Sequence, residues 1–125
     1  MRLLIDTHIF LWAVAGSPFL KPSARRFIES AEQVFVSAAS IWEIAIKARL
    51  GKMDADPDEL VAAIESSGFS ELPVRATHAA EVRRLALHHN DPFDHVLIAQ
   101  AISEPLKLLT ADAVMSRYGN FVVMA

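Results

Sequence analysis

Short apolar runs alternate along the chain with longer stretches whose apolar residues recur at helical spacing. That alternation predicts an α/β fold around a mostly parallel sheet. Leu3-Leu4-Ile5 reads as the first strand, ending at Asp6. A helix follows over about Thr7 to Val14 and stops at Gly16-Ser17-Pro18. Pro22 and Ser23 open a second helix through Arg25, Phe27 and Ile28. Val34-Phe35-Val36 is the second strand, and Ser37 begins the turn into a largely apolar helix over about Ser40 to Leu50, closed by Gly51. Asp56-Pro57 has the cap-and-proline signature of a helix carrying Leu60, Val61 and Ile64 and closed by Gly68. After a short extended piece, Leu72-Pro73-Val74, a helix is expected from about Thr77 to His88. Asp91-Pro92 repeats the cap-and-proline signal ahead of Leu97, Ile98 and Ala101. Leu106 to Leu109 reads as a strand, Asp112 opens a short helix ending at Gly119, and Phe121 to Met124 is the last strand. No repeat, low-complexity tract or linker interrupts the pattern, so residues 1–125 read as one domain.

Composition narrows the class. With 53% apolar residues and a mean hydropathy of +0.29, disorder is not expected. The apolar share, slightly above the usual range, suggests a heavily buried sheet or a surface that docks onto a partner. The absence of cysteine excludes a disulfide scaffold and a zinc ribbon, and allows a reducing compartment. Ile9 to Val14, with Ala13-Val14-Ala15 behind it, mimics a short signal peptide. Asp6 and His8 interrupt that run and only Arg2 precedes it, so a cytoplasmic location is expected. No apolar run approaches the length that crosses a bilayer, so no membrane partner is expected. The net charge of −3 does not point to a broad basic surface for nucleic acid. Setting aside four of the 15 acids leaves 11 against 12 basic residues, and the surface away from those four is then weakly basic.

Those four acids carry the chemistry. Asp6 follows the first strand, Glu43 the second and Asp112 the fourth, and in parallel α/β sheets the carboxyl ends of the strands line the ligand crevice. Asp94 falls in the first turn of the helix opened by Asp91, whose free amides and dipole face the same side. Each acid also has an ordinary structural reading. Asp6 and Asp112 fit as N-caps, Ser40-Ile41-Trp42-Glu43 fits a capping box, and Asp91 fits as the cap before Pro92. Taken together they are harder to explain as caps, because carboxylates gathered at one sheet edge repel. Two charges about 4 Å apart cost roughly 1 kcal/mol in water and about 4 kcal/mol at an intermediate dielectric. Divalent cations relieve that repulsion, and carboxylate oxygens suit Mg²⁺ or Mn²⁺. No glycine-rich phosphate loop and no nucleophile elbow is present, so metal-assisted hydrolysis is the reaction these residues support.

Five segments together resemble the PIN domain, and in particular the VapC toxins of type II toxin–antitoxin pairs. They are Asp6-Thr7-His8, Ser40 to Lys47, Asp91-Pro92-Phe93-Asp94, Leu97 to Ala101, and Leu109-Thr110-Ala111-Asp112. The likeness runs over nearly the whole chain. It implies a three-layer α/β/α sandwich and a Mg²⁺- or Mn²⁺-dependent endoribonuclease. It also implies a homodimer held in check by a cognate antitoxin. On that pattern Asp6, Glu43, Asp94 and Asp112 are the metal-binding and catalytic acids, and Thr110 is the hydroxyl beside the last; Thr7 and Asp91 are further candidates for a supporting role. Relatives often carry Arg after the Asp-Pro-Phe-Asp motif, where this chain has His95. An RNA contact assigned to that position therefore does not carry over, whereas the metal site does.

Other residues have simpler readings. His8, His88, His89 and His95 lack zinc-ligand spacing, and His88-His89 is expected at a helix C-terminus, with His89 in a position to order the loop before Asp91. Trp12 and Trp42 read as packing residues, with base stacking as the alternative. Arg25, Arg26, Arg49, Lys52, Arg83 and Arg84 read as solvated helix faces able to touch phosphate, and Lys47 lies one helical turn beyond Glu43, the spacing of an ion pair. Two rival functions remain. One is a PIN-like scaffold that binds RNA or protein without cutting, against which the presence of all four acids counts. The other is a phosphoacceptor receiver domain, which typically carries adjacent acids after its first strand and a Lys after its last. Here Asp6 stands alone and Phe121 to Ala125 holds no Lys.

Overall fold

A computed structural model describes all residues, 1–125. In chain order it contains β1 (Arg2–Ile5), α1 (Thr7–Ala15), α2 (Pro22–Ser30), β2 (Gln33–Ser37), α3 (Ala38–Arg49), α4 (Pro57–Ser66) and β3 (Ser70–Leu72). Then come α5 (Ala76–Glu81), a 3₁₀ turn (Val82–Arg84), α6 (Pro92–Ser103), β4 (Lys107–Thr110), a second 3₁₀ segment (Ala113–Tyr118) and β5 (Val122–Met124). The five strands form one sheet in the order β3-β2-β1-β4-β5, and every neighbouring pair is parallel.

Strand period decides how the core divides. Leu3, Ile5, Val34, Val36 and Leu109 point to one face, where they meet Ile9 and Phe10 of α1, Ala24 of α2, Ile44 of α3 and Ile64 of α4. Leu4, Phe35, Leu72 and Leu108 point to the other, against Leu97, Ile98 and Ala101 of α6 and Met115 of the second 3₁₀ segment. Both faces of the central strands are therefore dry, which is why those strands read as unbroken apolar runs. The sheet lies between two helical layers, the α/β/α sandwich that the resemblance implied. The chain first steps outward from β1 to β2 and β3, then returns past β1 to β4 and β5. Right-handed crossovers in opposite directions place their helices on opposite faces, and the return crossover carries α5 and α6 on the second face. The direction reverses between β1 and β4, and a crevice opens there at the carboxyl ends of the strands.

Most boundaries fall within a residue or two of the sequence reading, because their punctuation is local. Gly16 takes a left-handed conformation (φ 61°) after α1, and the Ser17 amide returns to the Trp12 carbonyl, 2.9 Å away. Asp56 and Asp91 cap α4 and α6 ahead of their prolines, as expected. Two expectations are corrected. The helix expected over Thr77 to His88 ends at Glu81 and tightens into the 3₁₀ turn. Leu85 then turns extended (φ −74°, ψ 141°) to pack on the second core, and the Tyr118 hydroxyl accepts the amides of His88 and His89. His88-His89 is consequently a loop rather than a helix end. The capping box at Ser40 to Glu43 does not form either. Strand β2 passes straight into α3, and Ser37 is the cap, its hydroxyl oxygen accepting the Ala39 amide at 3.0 Å. Ala38 and Ala39, good helix formers, carry the helix back to that point, so Ser40 and Glu43 are buried within it.

Candidate active site

Asp6 leaves the end of β1 at the crevice, and its carboxylate is only 7% exposed. One oxygen caps α1 by accepting the Ile9 amide at 3.0 Å; the other accepts the buried Thr110 hydroxyl at 2.5 Å. Thr110 in turn accepts the Asp112 amide at 3.1 Å, so one hydroxyl ties the acid after β1 to the turn after β4. Asp112 itself is exposed and caps the second 3₁₀ segment through the Val114 amide. Asp6 and Asp112, with His8, Trp12 and Ala111, line a shallow cleft of about 310 Å³. A larger hollow of about 500 Å³ lies at the opposite end of β1 and β4, around Met1, Arg2, Lys107 and Phe121, and holds no acid.

Glu43 comes from the middle of α3, 5% exposed. Thr7 Oγ1 lies 2.7 Å from one of its oxygens and 2.9 Å from the Ser40 hydroxyl. With a single proton, Thr7 donates to the carboxylate and accepts from Ser40. The second Glu43 oxygen meets the Lys47 ammonium at 2.7 Å, the ion pair expected from their spacing. Lys47 thereby offsets the charge of a buried carboxylate.

Asp94 is placed by Asp91, whose carboxylate accepts the amides of Phe93 and Asp94 at 2.9 and 3.2 Å. One Asp94 oxygen meets His89 Nε2 at 2.9 Å. His89 sits within reach of Tyr118, and His95 Nε2 donates to the His89 carbonyl at 2.8 Å. His95 is thus buried as a brace for the loop before α6 and does not reach into solvent.

Electrostatics mark two of the acids. Burial raises the pKa of Asp6; Thr110, the Ile9 amide and nearby His8 pull it down, and the charge of Glu43 adds to the rise. Burial also pushes Asp94 up to about 6, opposed by the His89 hydrogen bond and reinforced by the charges of Asp91 and Asp6. Asp6 therefore feels Glu43, and Asp94 feels Asp6, across the crevice. Each of the four carboxylates meets at least one protein donor, and no three acids or histidines stand at the spacing of ligands around a single ion. The donor set nevertheless fits a hard divalent cation: it consists of carboxylate oxygens alone, two of them held with raised proton affinity.

Sequence reasoning missed Ser40 and Tyr118 as contacts of this group. Ser40 carries a helical-spacing signal, since it lies one turn before Glu43 on the same face. Tyr118 has no local signal: it is 29 residues from His89 and reaches it only through the packing of the second 3₁₀ segment.

Comparisons with known proteins bear on the fold and the family. No curated protein sequence matches the chain at a significant level. Among solved structures, the DNA-bound VapBC of Salmonella typhimurium superposes with a TM-score of 0.70 at 15% identity, covering 100% of this chain and 97% of that one. A toxin–antitoxin complex from Klebsiella pneumoniae gives 0.69 at 18% identity, with 98% and 96% covered. The sarcin-ricin loop cleaving toxin VapC20 of Mycobacterium tuberculosis gives 0.67 at 17%, with 94% and 95% covered. At these identities the likeness is one of fold. The PIN domain profile matches residues 3–120, nearly the whole length, and the chain belongs to the PIN-domain family.

Proposed function

We propose that this protein is a metal-dependent endoribonuclease, the toxin of a type II toxin–antitoxin pair. In this reading it works in the cytoplasm as a homodimer and is neutralised by a cognate antitoxin. The observation that carries the proposal is that Asp6 and Asp112 line one cleft where the sheet reverses direction, with the charge of Glu43 felt at Asp6 and that of Asp6 felt at Asp94. Independent helix caps would not need to bring Asp6 and Asp112 to one cleft, nor to leave the buried Asp94 within reach of the Asp6 charge. Solved relatives of the same fold include antitoxin complexes and an RNA-cleaving toxin, which supports the substrate class and the partner.

In this reading Asp6, Glu43, Asp94 and Asp112 hold Mg²⁺ or Mn²⁺. Once bound, the ion supplies a water of lowered pKa and positive charge beside the phosphodiester oxygens. The protein supplies the rest. Thr110 fixes Asp6 relative to the Asp112 turn, and Thr7 and Lys47 fix the two oxygens of Glu43. Asp91 serves as the cap that sets the start of α6, and so the place of Asp94.

The test is cleavage of a single-stranded or looped RNA by purified protein with Mg²⁺ or Mn²⁺, and again with EDTA. Cleavage is expected only with the ion and should be lost in Asp94→Asn. Equal cleavage in EDTA, by protein free of contaminating nuclease, contradicts the mechanism. RNA binding without cleavage under any ion would favour the non-cutting scaffold.

A further inference from the structure

With a neutral imidazole and an ionised Asp94, the hydrogen bonds around His89 have one consistent direction. The Tyr118 hydroxyl oxygen accepts two backbone amides, those of His88 at 3.2 Å and His89 at 3.3 Å. Its one proton must go to a remaining acceptor, and two ring nitrogens are near: His89 Nδ1 at 2.8 Å and His95 Nε2 at 3.3 Å. His95 Nε2 also lies 2.8 Å from the His89 carbonyl oxygen, which can only accept, so that nitrogen already carries a hydrogen. The Tyr118 proton is therefore directed to His89 Nδ1. An imidazole that accepts at Nδ1 carries its hydrogen at Nε2, and Nε2 faces one oxygen of Asp94 at 2.9 Å. The chain runs Tyr118 O–H to His89, and His89 N–H to Asp94. It is well shielded, with the His89 and Asp94 side chains 17% and 19% exposed. The His89 and His95 rings meet edge to face, 5.1 Å between centroids, which leaves the imidazole little freedom to turn.

We propose that Tyr118 and His89 are positioning residues for Asp94: Tyr118 sets the His89 ring, and His89 holds one oxygen of Asp94, leaving the other for a divalent cation. As a role in ion binding this rests on the nuclease reading above; the direction of the hydrogen bonds does not. Loop 85–91, which has no regular structure after Leu85, is thus pinned to the site by a residue of the second 3₁₀ segment. Partners of this kind, which orient a metal-binding carboxylate without touching the ion, typically change affinity or activity 10- to 100-fold when removed.

Two measurements separate the parts. The ¹⁵N spectrum of the His89 ring in ion-free protein at mildly alkaline pH reports its tautomer and does not depend on any activity. We expect hydrogen on Nε2 and a bare Nδ1 in the wild type, with the Nδ1 signal moved in Tyr118→Phe. Hydrogen on Nδ1 overturns the proposal whether or not the protein cleaves RNA. The second measurement is the Mn²⁺ dependence of the melting temperature, with kcat and KM on RNA, in Tyr118→Phe, His89→Leu and His89→Gln. The first two should need about tenfold more Mn²⁺ and lose kcat with little change in KM. His89→Gln, which retains an N–H near the Nε2 position, should recover most of the loss. Wild-type Mn²⁺ dependence and kcat in both Tyr118→Phe and His89→Leu overturn the positioning role. A wild type that shows neither cleavage nor an ion-induced melting shift instead defeats the nuclease reading, and with it any role of this pair in ion binding.

Discussion

At the scale of single residues, Asp94 carries the clearest chemical signature, a carboxyl pushed up to about 6 chiefly by burial. A pKa raised by folding means that the native state holds this proton more tightly than the unfolded chain. Its contribution to stability is therefore complete below the ordinary carboxylate range and is lost as pH rises through about 6. A shift of this size corresponds to about 3 kcal/mol at most. Asp94→Asn removes the titration, so in ion-free buffer the variant should gain stability relative to wild type between pH 4 and 7. Denaturant melts across that range check this, and a constant difference would show that Asp94 is not held against its charge. Lys47 and His89 show why the acids looked lonelier in sequence than they are. Lys47 could be anticipated from its spacing to Glu43, because a helix makes neighbours of residues four apart. Tyr118 could not, because it meets His89 only through the tertiary fold.

At the scale of elements, the parts that could be read in advance are those whose cause is local. The cap-and-proline pairs at Asp56 and Asp91, the left-handed glycine after α1 and the apolar strand runs all appear where their chemistry puts them. The segment from Val82 to His89 does not, since its helical spacing is overridden by Leu85 turning into the core and by Tyr118 taking two amides. Glu43 follows β2 as read, but the capping box offered as its structural reading does not form. Which residue caps α3 depends on how far β2 runs before the chain turns, and Ser37 is as good a cap as Ser40. The choice between Asp91 and Asp94 is open to the same reasoning. Asp91 accepts both amides of the first turn of α6, so Asp91→Ala should cost about 1 kcal/mol of stability. At temperatures well below its melting point the variant should keep most of its RNA cleavage. Loss of activity at unchanged stability would reverse the assignment.

At the scale of the whole molecule, the order β3-β2-β1-β4-β5 does the gathering. It puts the ends of β1 and β4 side by side at the point where the direction of winding reverses, so acids 106 positions apart in sequence, Asp6 and Asp112, come to line one cleft. No helix is long and apolar enough to cross a membrane. The family, the layers and the parallel sheet were legible from five short motifs and an alternating pattern; the hydrogen bonds that hold each acid were not, because they join distant segments. The central claim is that these acids form a cation site rather than a set of helix caps, and Asp6 separates the two. Asn in its place keeps the shape and can still cap α1, but it removes a buried charge. The decisive measurement is the melting temperature of wild type and Asp6→Asn, each with and without millimolar Mn²⁺. In ion-free buffer the variant should be at least as stable as wild type. With the ion the order should invert, because wild type gains binding free energy that grows with the logarithm of ion concentration over its dissociation constant. An equal ion-induced rise in both proteins would contradict Asp6 as a ligand, and no rise in either would contradict the site.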